Sequence, residues 1–212
     1  PSSKTLPRAG IVHRLDKNTT GLMVVAKDEL SQQHLVRQLQ SKKVKREYRA
    51  IVWGQVWKNK TISQPIGRHP RVRVKMAVNK INGKDSITHY EVLERFGMNS
   101  YLRCNLETGR THQIRVHMEF NESPIVGDPI YGLKKIIPTK AMSSNLKKAT
   151  LEFDRQALHA IGLGLIHPFT NKPMQWVIDL PADMKSLLDI IRKEAGLKPL
   201  FSLKNMITYH KK

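Results

Sequence analysis

The sequence predicts an α+β fold in which strands outnumber helices. Apolar runs of strand length recur from Gly21 to Leu180, and turn-forming Pro, Gly and Asn residues separate them. Only three stretches have helical character, near residues 28–39, 111–120 and 182–195. The order of elements is strand-rich with a few helices, which makes α+β the best class. A chain of 212 residues, 40% of them hydrophobic, is long and apolar enough to bury one core.

In chain order, Pro1 to Arg8 reads as a loop or a cut end. Gly21 to Lys27 is a continuous apolar run and reads as a buried strand. Asp28 has the chemistry of a helix cap, and Leu30, Leu35 and Leu39 would form the apolar stripe of the helix it starts. Arg49 to Val56 reads as a strand. Residues 57–84 carry Pro65, Gly67, Pro70 and Gly83, which suggests turns around short strands. Ile87 to Phe96 and Tyr101 to Leu106 have strand character, and 111–120 a helical one. Residues 121–150 hold three prolines and two glycines and read as a long loop region. Ala157 to Ile166 and Met174 to Leu180 are strands around a Pro- and Asn-rich turn. Ala182 to Ala195 carries Met184, Leu187, Leu188 and Ile191 at helical spacing, and Gly196 stops it.

Composition bounds the function. Lys and Arg number 37 against 17 acids, a formal net charge of +20, which points to a polyanion. The surplus is uneven: no acid occurs from Tyr48 to Lys84, where Arg68, Arg71, Arg73 and five lysines lie. That stretch is the expected phosphate-tracking surface; a charge run is otherwise a solvated face. The single Cys104 excludes an internal disulfide framework and a Cys-rich zinc module. No apolar run approaches the roughly 20 residues of a membrane helix. A cytoplasmic, reducing compartment and no membrane partner are the expectation.

Three clusters carry residues suited to chemistry. In His13-Arg14-Leu15-Asp16, the carboxylate has cations on both sides, Arg14 and Lys17, which favour its nucleophilic form. Taken alone, Asp16 reads first as a turn or cap acceptor and only second as a nucleophile. In Gly109-Arg110-Thr-His-Gln-Ile-Arg115-Val-His117, an Arg on a helix would need a carboxylate if buried, and Asp16 is one candidate. Exposure on a solvated face is the alternative. In Lys45-Arg46-Glu47-Tyr48-Arg49, a Tyr among cations suits base stacking with phosphate contacts beside it, or a strand position at the edge of a core. There is no HExxH, no P-loop and no GxGxxG, so neither a metal nor a nucleotide cofactor is indicated.

Together these clusters resemble the RluA-type pseudouridine synthases. The run from His13 to Lys27 is similar to the family's first signature, Gly109 to Met118 to a second and Arg46 to Tyr48 to a third; Val126 to Gly132 and Phe153 to His159 agree in the same order. The resemblance spans about residues 6–195. It implies a mixed, largely antiparallel central sheet with flanking helices. It also implies isomerisation of uridine to pseudouridine in RNA, without cofactor or metal, and large-subunit ribosomal RNA as the expected substrate. Asp16 matches the family's catalytic Asp, acting at C1′ as a nucleophile or at C2′ on a glycal route. Tyr48 matches the active-site Tyr that stacks on the base and takes the C5 proton. Arg115 matches the basic residue paired with the catalytic carboxylate, and Arg14 the residue that fills the place of a flipped nucleotide. His13 would assist, Ile114 would line the uracil pocket, and Arg110, Arg68, Arg71 and Arg73 would hold RNA.

Relatives carry further strands upstream, often after an S4-type domain, so the chain is expected to be an N-terminally truncated catalytic domain, residues 1–196, with an appendage at 197–212. A monomer is expected. The competing readings are a tRNA-modifying member of the family, a non-catalytic RNA-binding or ribosome-assembly module and, more distantly, a ribonuclease.

Overall fold

A computed structural model describes residues 6–72, 74–132 and 142–199. Its elements are β1 (Thr20–Gly21), α1 (Glu29–Gln40), β2 (Lys45–Trp53), β3 (Lys60–Ser63), β4 (Ile66–Arg68), β5 (Met76–Val78), β6 (Ile87–Arg95), β7 (Asn99–Leu106), α2 (Gln113–Phe120), α3 (Ser144–Leu151), β8 (Leu158–Ile166), β9 (Pro173–Val177) and α4 (Ala182–Glu194). Seven strands form one sheet in the order β1-β8-β2-β7-β6-β3, with β9 also pairing β8. All its pairings are antiparallel except the short parallel pair β1–β8. The hairpin β4–β5 stands apart as a second, two-stranded sheet. The fold is thus α+β and mixed, as the sequence predicts.

Local chemistry explains the elements. Asp28 accepts a hydrogen bond from Ser31 N at 2.8 Å and starts α1. Gly196 takes a positive φ of 73° just beyond α4, the left-handed turn that ends many helices. β2 runs between β7 and β8, so Ala50, Ile51, Val52 and Trp53 are all buried and the strand shows an apolar run instead of alternation. Tyr48 lies opposite Cys104 on β7 and Ala160 on β8, just past a register shift against β8.

The main core joins β2, β7 and β8 to Ile114 and Met118 of α2, Leu146 of α3 and Met184, Leu187, Leu188 and Ile191 of α4. A second cluster under α1 gathers Leu35, Val44, Leu163 and Leu165. A third couples the hairpin to α2 through Ile66, Val116 and Tyr131. Residues 113–118 are therefore buried throughout, because α2 is wedged between two cores. Among the described residues, no helix is long and apolar enough to cross a membrane.

Three sequence expectations are corrected. Gly21 to Lys27 is not a continuous buried strand. Only Thr20–Gly21 pairs as strand, and the rest alternates: Ala26 is buried and Leu22 and Val24 partly so, while Met23 and Val25 are 43% and 45% exposed. An unbroken apolar run hides this alternation. Residues 121–150 are not all loop, since Ser143 caps α3 by accepting from Leu146 N. Only Leu146 and Thr150 of that short helix are buried, one of them polar, so no apolar periodicity marks it. Leu30 also departs from the predicted stripe, at 74% exposure. The Arg73 assignment and residues 200–212 of the proposed appendage lie outside the described residues.

β1 anchors the segment that carries Asp16. Gly21 has φ 123°, and a Cβ there would lie 2.3 Å from the backbone oxygen of Ala160. Gly21→Ala is therefore expected to cost on the order of 3 kcal/mol, since backbone strain and a backbone clash act together. Chemical denaturation checks it; an unchanged midpoint would show that the β1–β8 contact is dispensable.

Candidate active site

Asp16 lies in a loop that enters β1, and β8 fixes that loop from behind. Thr19 N donates to Asp16 O at 2.9 Å, closing a turn in which Asn18 has φ 66°. The side-chain amide of the buried Gln156 donates to Lys17 O at 2.7 Å and to Thr19 Oγ1 at 2.8 Å. The Thr20 hydroxyl lies 2.8 Å from His159 Nδ1. A loop with its backbone satisfied this way holds a side chain in place.

On the opposite flank, Gln113 builds the loop before α2. Its oxygen accepts from Thr108 Oγ1 at 2.7 Å and Arg110 N at 2.9 Å, and its nitrogen donates to Ile87 O at 2.9 Å and Thr88 Oγ1 at 3.0 Å. His112 then turns through a left-handed conformation, φ 57°, into the helix. The helix thus begins at Gln113, two residues later than the expected stretch 111–120.

Between these flanks is a cleft of about 920 Å³. Asp16, Tyr48, Ile114, His13, Arg14 and Arg110 all line it, although they lie as far apart in sequence as His13 and Ile114. Arg115 reaches the cleft from behind: its Nη1 donates to Asp16 Oδ2 at 3.3 Å. Arg68 and Arg71 do not line the cleft. They are exposed on and after β4, in the separate hairpin.

The expected Arg115–Asp16 pair exists, but it is not the main one. Arg115 Nε donates to Asp128 Oδ2 at 2.7 Å and Nη2 to Asp128 Oδ1 at 2.9 Å, a two-pronged pair with both side chains buried. Burial opposes the Arg115 charge, yet Asp128 and Asp16 outweigh it and raise the guanidinium above its usual range. Asp128 Oδ1 also accepts from Ile130 N and Tyr131 N, so one carboxylate both makes a turn and aims the arginine. The Tyr131 ring lies 5.0 Å from the Arg115 guanidinium.

Electrostatics divides the remaining groups. Burial pushes the Tyr48 phenol up to about 12, with Asp16 adding to the rise and Arg46 opposing it, so at neutral pH Tyr48 is a hydrogen-bond donor. Burial, helped by the charge of Arg46, lowers His13 from 6.5 to about 4. His13 is therefore neutral, and because its Nε2 accepts from Val24 N at 3.1 Å, its proton sits on Nδ1. Burial lowers His112 as well. Among the described residues, no group of three or more His, Cys, Asp or Glu is placed to hold a metal.

Reading the sequence missed Asp128, Gln113 and Gln156; Arg46 was read only as one of the cations beside Tyr48. All three missed residues lay inside runs already matched to the resemblance, so a signal existed but carried no role. The roles of the two glutamines depend on contacts that spacing does not encode.

Residues 1–120 match the family described as RNA pseudouridylate synthase. The chain is 47% identical over 194 residues to ribosomal large subunit pseudouridine synthase D of Escherichia coli K12, covering 92% of this chain and 59% of that protein. It is 52% identical over 194 residues to the protein of the same name from Pseudomonas aeruginosa, covering 92% of this chain and 60% of the relative. The chain thus spans about three fifths of the length of these curated relatives. Among solved structures, human RNA pseudouridylate synthase domain containing 4 is similar, with a TM-score of 0.67 and 26% identity, over 86% of this chain and 75% of that one.

Proposed function

Because the chain belongs to the RNA pseudouridylate synthase family, we propose that it converts uridine to pseudouridine in RNA, with large-subunit ribosomal RNA as substrate. The observation that carries this reading is one cleft in which Asp16, Tyr48 and Ile114 meet, with Arg115 holding the Asp16 carboxylate at 3.3 Å. The names of the relatives support the ribosomal substrate. The charge of +20 suits a folded polyanion.

Each residue has a task set by its environment. The target base must leave its stack to reach Asp16, and Arg14, exposed along the cleft, would occupy the space it vacates. Asp16 then acts on the ribose. On one route its oxygen bonds to C1′ while the C1′–N1 bond breaks and its electron pair goes to uracil. On the other it takes the C2′ proton, C1′=C2′ forms as N1 departs, and the proton is later returned to C2′. On both, uracil turns against Ile114 and C5 bonds to C1′, on the first route as the C1′–Asp16 bond breaks and its electron pair returns to the carboxylate; C5 then loses its proton and N1 gains one. Tyr48 enters the cycle as a neutral phenol. It therefore stacks on or donates to the base first, and accepts the C5 proton only after giving up its own. Arg68 and Arg71 lie outside the cleft and would hold flanking RNA from the hairpin.

The test is release of C5 hydrogen from uridine labelled at that position, in ribosomal RNA and in tRNA. Release from large-subunit ribosomal RNA with chain length unchanged is expected. Release from tRNA alone would move the substrate, binding without release would leave a binding module, and shortened RNA would indicate a nuclease.

A further inference from the structure

Four arginines are buried among the described residues: Arg46, Arg49, Arg115 and Arg155. Three have carboxylate partners. Arg49 pairs with Glu47, Arg115 with Asp128, and Arg155 with Asp183. Arg46 has none. Its one acceptor is the backbone oxygen of Glu107, 3.2 Å from Nη2, and its buried Nε has no acceptor at all. A guanidinium only 8% exposed without a counter-charge is costly unless an anion arrives.

The carboxylates near Arg46 are committed elsewhere. Glu107 turns its side chain away to Lys42 Nζ and His89 Nε2, each at 2.8 Å. Glu47, next in sequence, serves Arg49 and, at 3.6 Å, Arg103. Asp16 is held by Arg115. Space is also reserved for the guanidinium. A Cβ on Gly109 would lie 2.6 Å from Arg46 Nη1, although the Gly109 backbone is one that any residue adopts. Arg46 lines the same cleft as Asp16 and Tyr48, and so does His13, with its Nδ1–H as a second donor.

We propose that Arg46 is a phosphate-binding residue that takes a phosphodiester oxygen of the RNA strand beside the nucleotide presented to Asp16. This deepens the proposed function and rests on it for the identity of the strand. A phosphate fits better than a uracil oxygen. The open position is an uncompensated full charge, and the neutral acceptor it already has, Glu107 O, leaves that charge unbalanced. The planar fork can engage a phosphate through two N–H groups.

The experiment compares the wild type with Arg46→Gln, Arg46→Lys and Gly109→Ala. The probe is a set of short RNA hairpins, each with one loop uridine, using the tightest binder. Affinity is measured across a range of potassium chloride concentrations, with single-turnover pseudouridine formation alongside. Arg46→Gln should weaken binding on the order of 10- to 100-fold and lower the slope of log K against log salt by about 0.7 to 0.9. Gly109→Ala keeps the charge and the fold but pushes the guanidinium aside, and should weaken binding in the same direction. Arg46→Lys should restore most of the slope while recovering less of the rate, because a point charge replaces the fork. Melting curves confirm that each variant is folded. An unchanged slope in folded Arg46→Gln would overturn the proposal. If the rate alone fell, Arg46 would instead be serving the departing uracil. A wild type that binds RNA but makes no pseudouridine would sink the proposed function, while the slope comparison would still decide the role of Arg46.

Discussion

Asp16→Asn is expected to lower pseudouridine formation by about 10⁴-fold or more, the scale on which positioned nucleophiles fail when removed. The amide is nearly the same size as the carboxylate and can still accept from Arg115 Nη1, so RNA affinity should change little. What is lost is the charge and basicity that either route needs, attack at C1′ or proton removal at C2′. The side chain is only partly buried and makes a single 3.3 Å contact to Arg115, which has Asp128 as its main partner. Stability should therefore stay within about 1 kcal/mol of the wild type. Single-turnover assays together with a melting curve check both halves. Normal product formation from a folded Asp16→Asn protein would remove Asp16 from the chemistry.

Asp128→Asn should act in the opposite order, on stability first. Asp128 Oδ1 accepts from Arg115 Nη2, Ile130 N and Tyr131 N, and Oδ2 accepts from Arg115 Nε. An asparagine that keeps its oxygen in the Oδ1 position sets an N–H against the Arg115 Nε–H and leaves a buried cation short of its partner. Breaking one side of such a pair costs about 3–5 kcal/mol, or roughly 6–20 °C in melting temperature for a domain of this size. Replacing both partners, as in Asp128→Leu with Arg115→Met, should cost less than the single change, because no buried charge is stranded. Activity should fall in both variants, since Arg115 is left unaimed at Asp16 in the first and is absent in the second. A single variant as stable as the wild type would mean that the Arg115–Asp128 pair contributes no more than an exposed ion pair.

The sequence was most informative where local chemistry is self-contained. The Asp28 cap, the Gly196 stop and the apolar spacing of α4 depend on neighbours a few residues away, and each appears in the structure. It was least informative where burial is set by distant elements. The run from Gly21 to Lys27 shows only apolarity, and its partners, Ala160 beside Gly21 and Ile11 beside Val25, decide which residues face inward. For α3, the few buried positions, Leu146 and Thr150, are too sparse to mark a face.

The site divides along the same line. Composition alone pointed to a polyanion as partner, and the order of its motifs identified the residue types around Asp16, Tyr48 and Arg115. Only the tertiary structure decided that Asp128 is the principal partner of Arg115, that Arg68 and Arg71 stand away from the cleft, and that Arg46 is buried without a carboxylate. The reason is physical. Charge and motif order are properties of the chain itself, whereas pairing and burial arise when strands distant in sequence become neighbours and surrounding side chains exclude water.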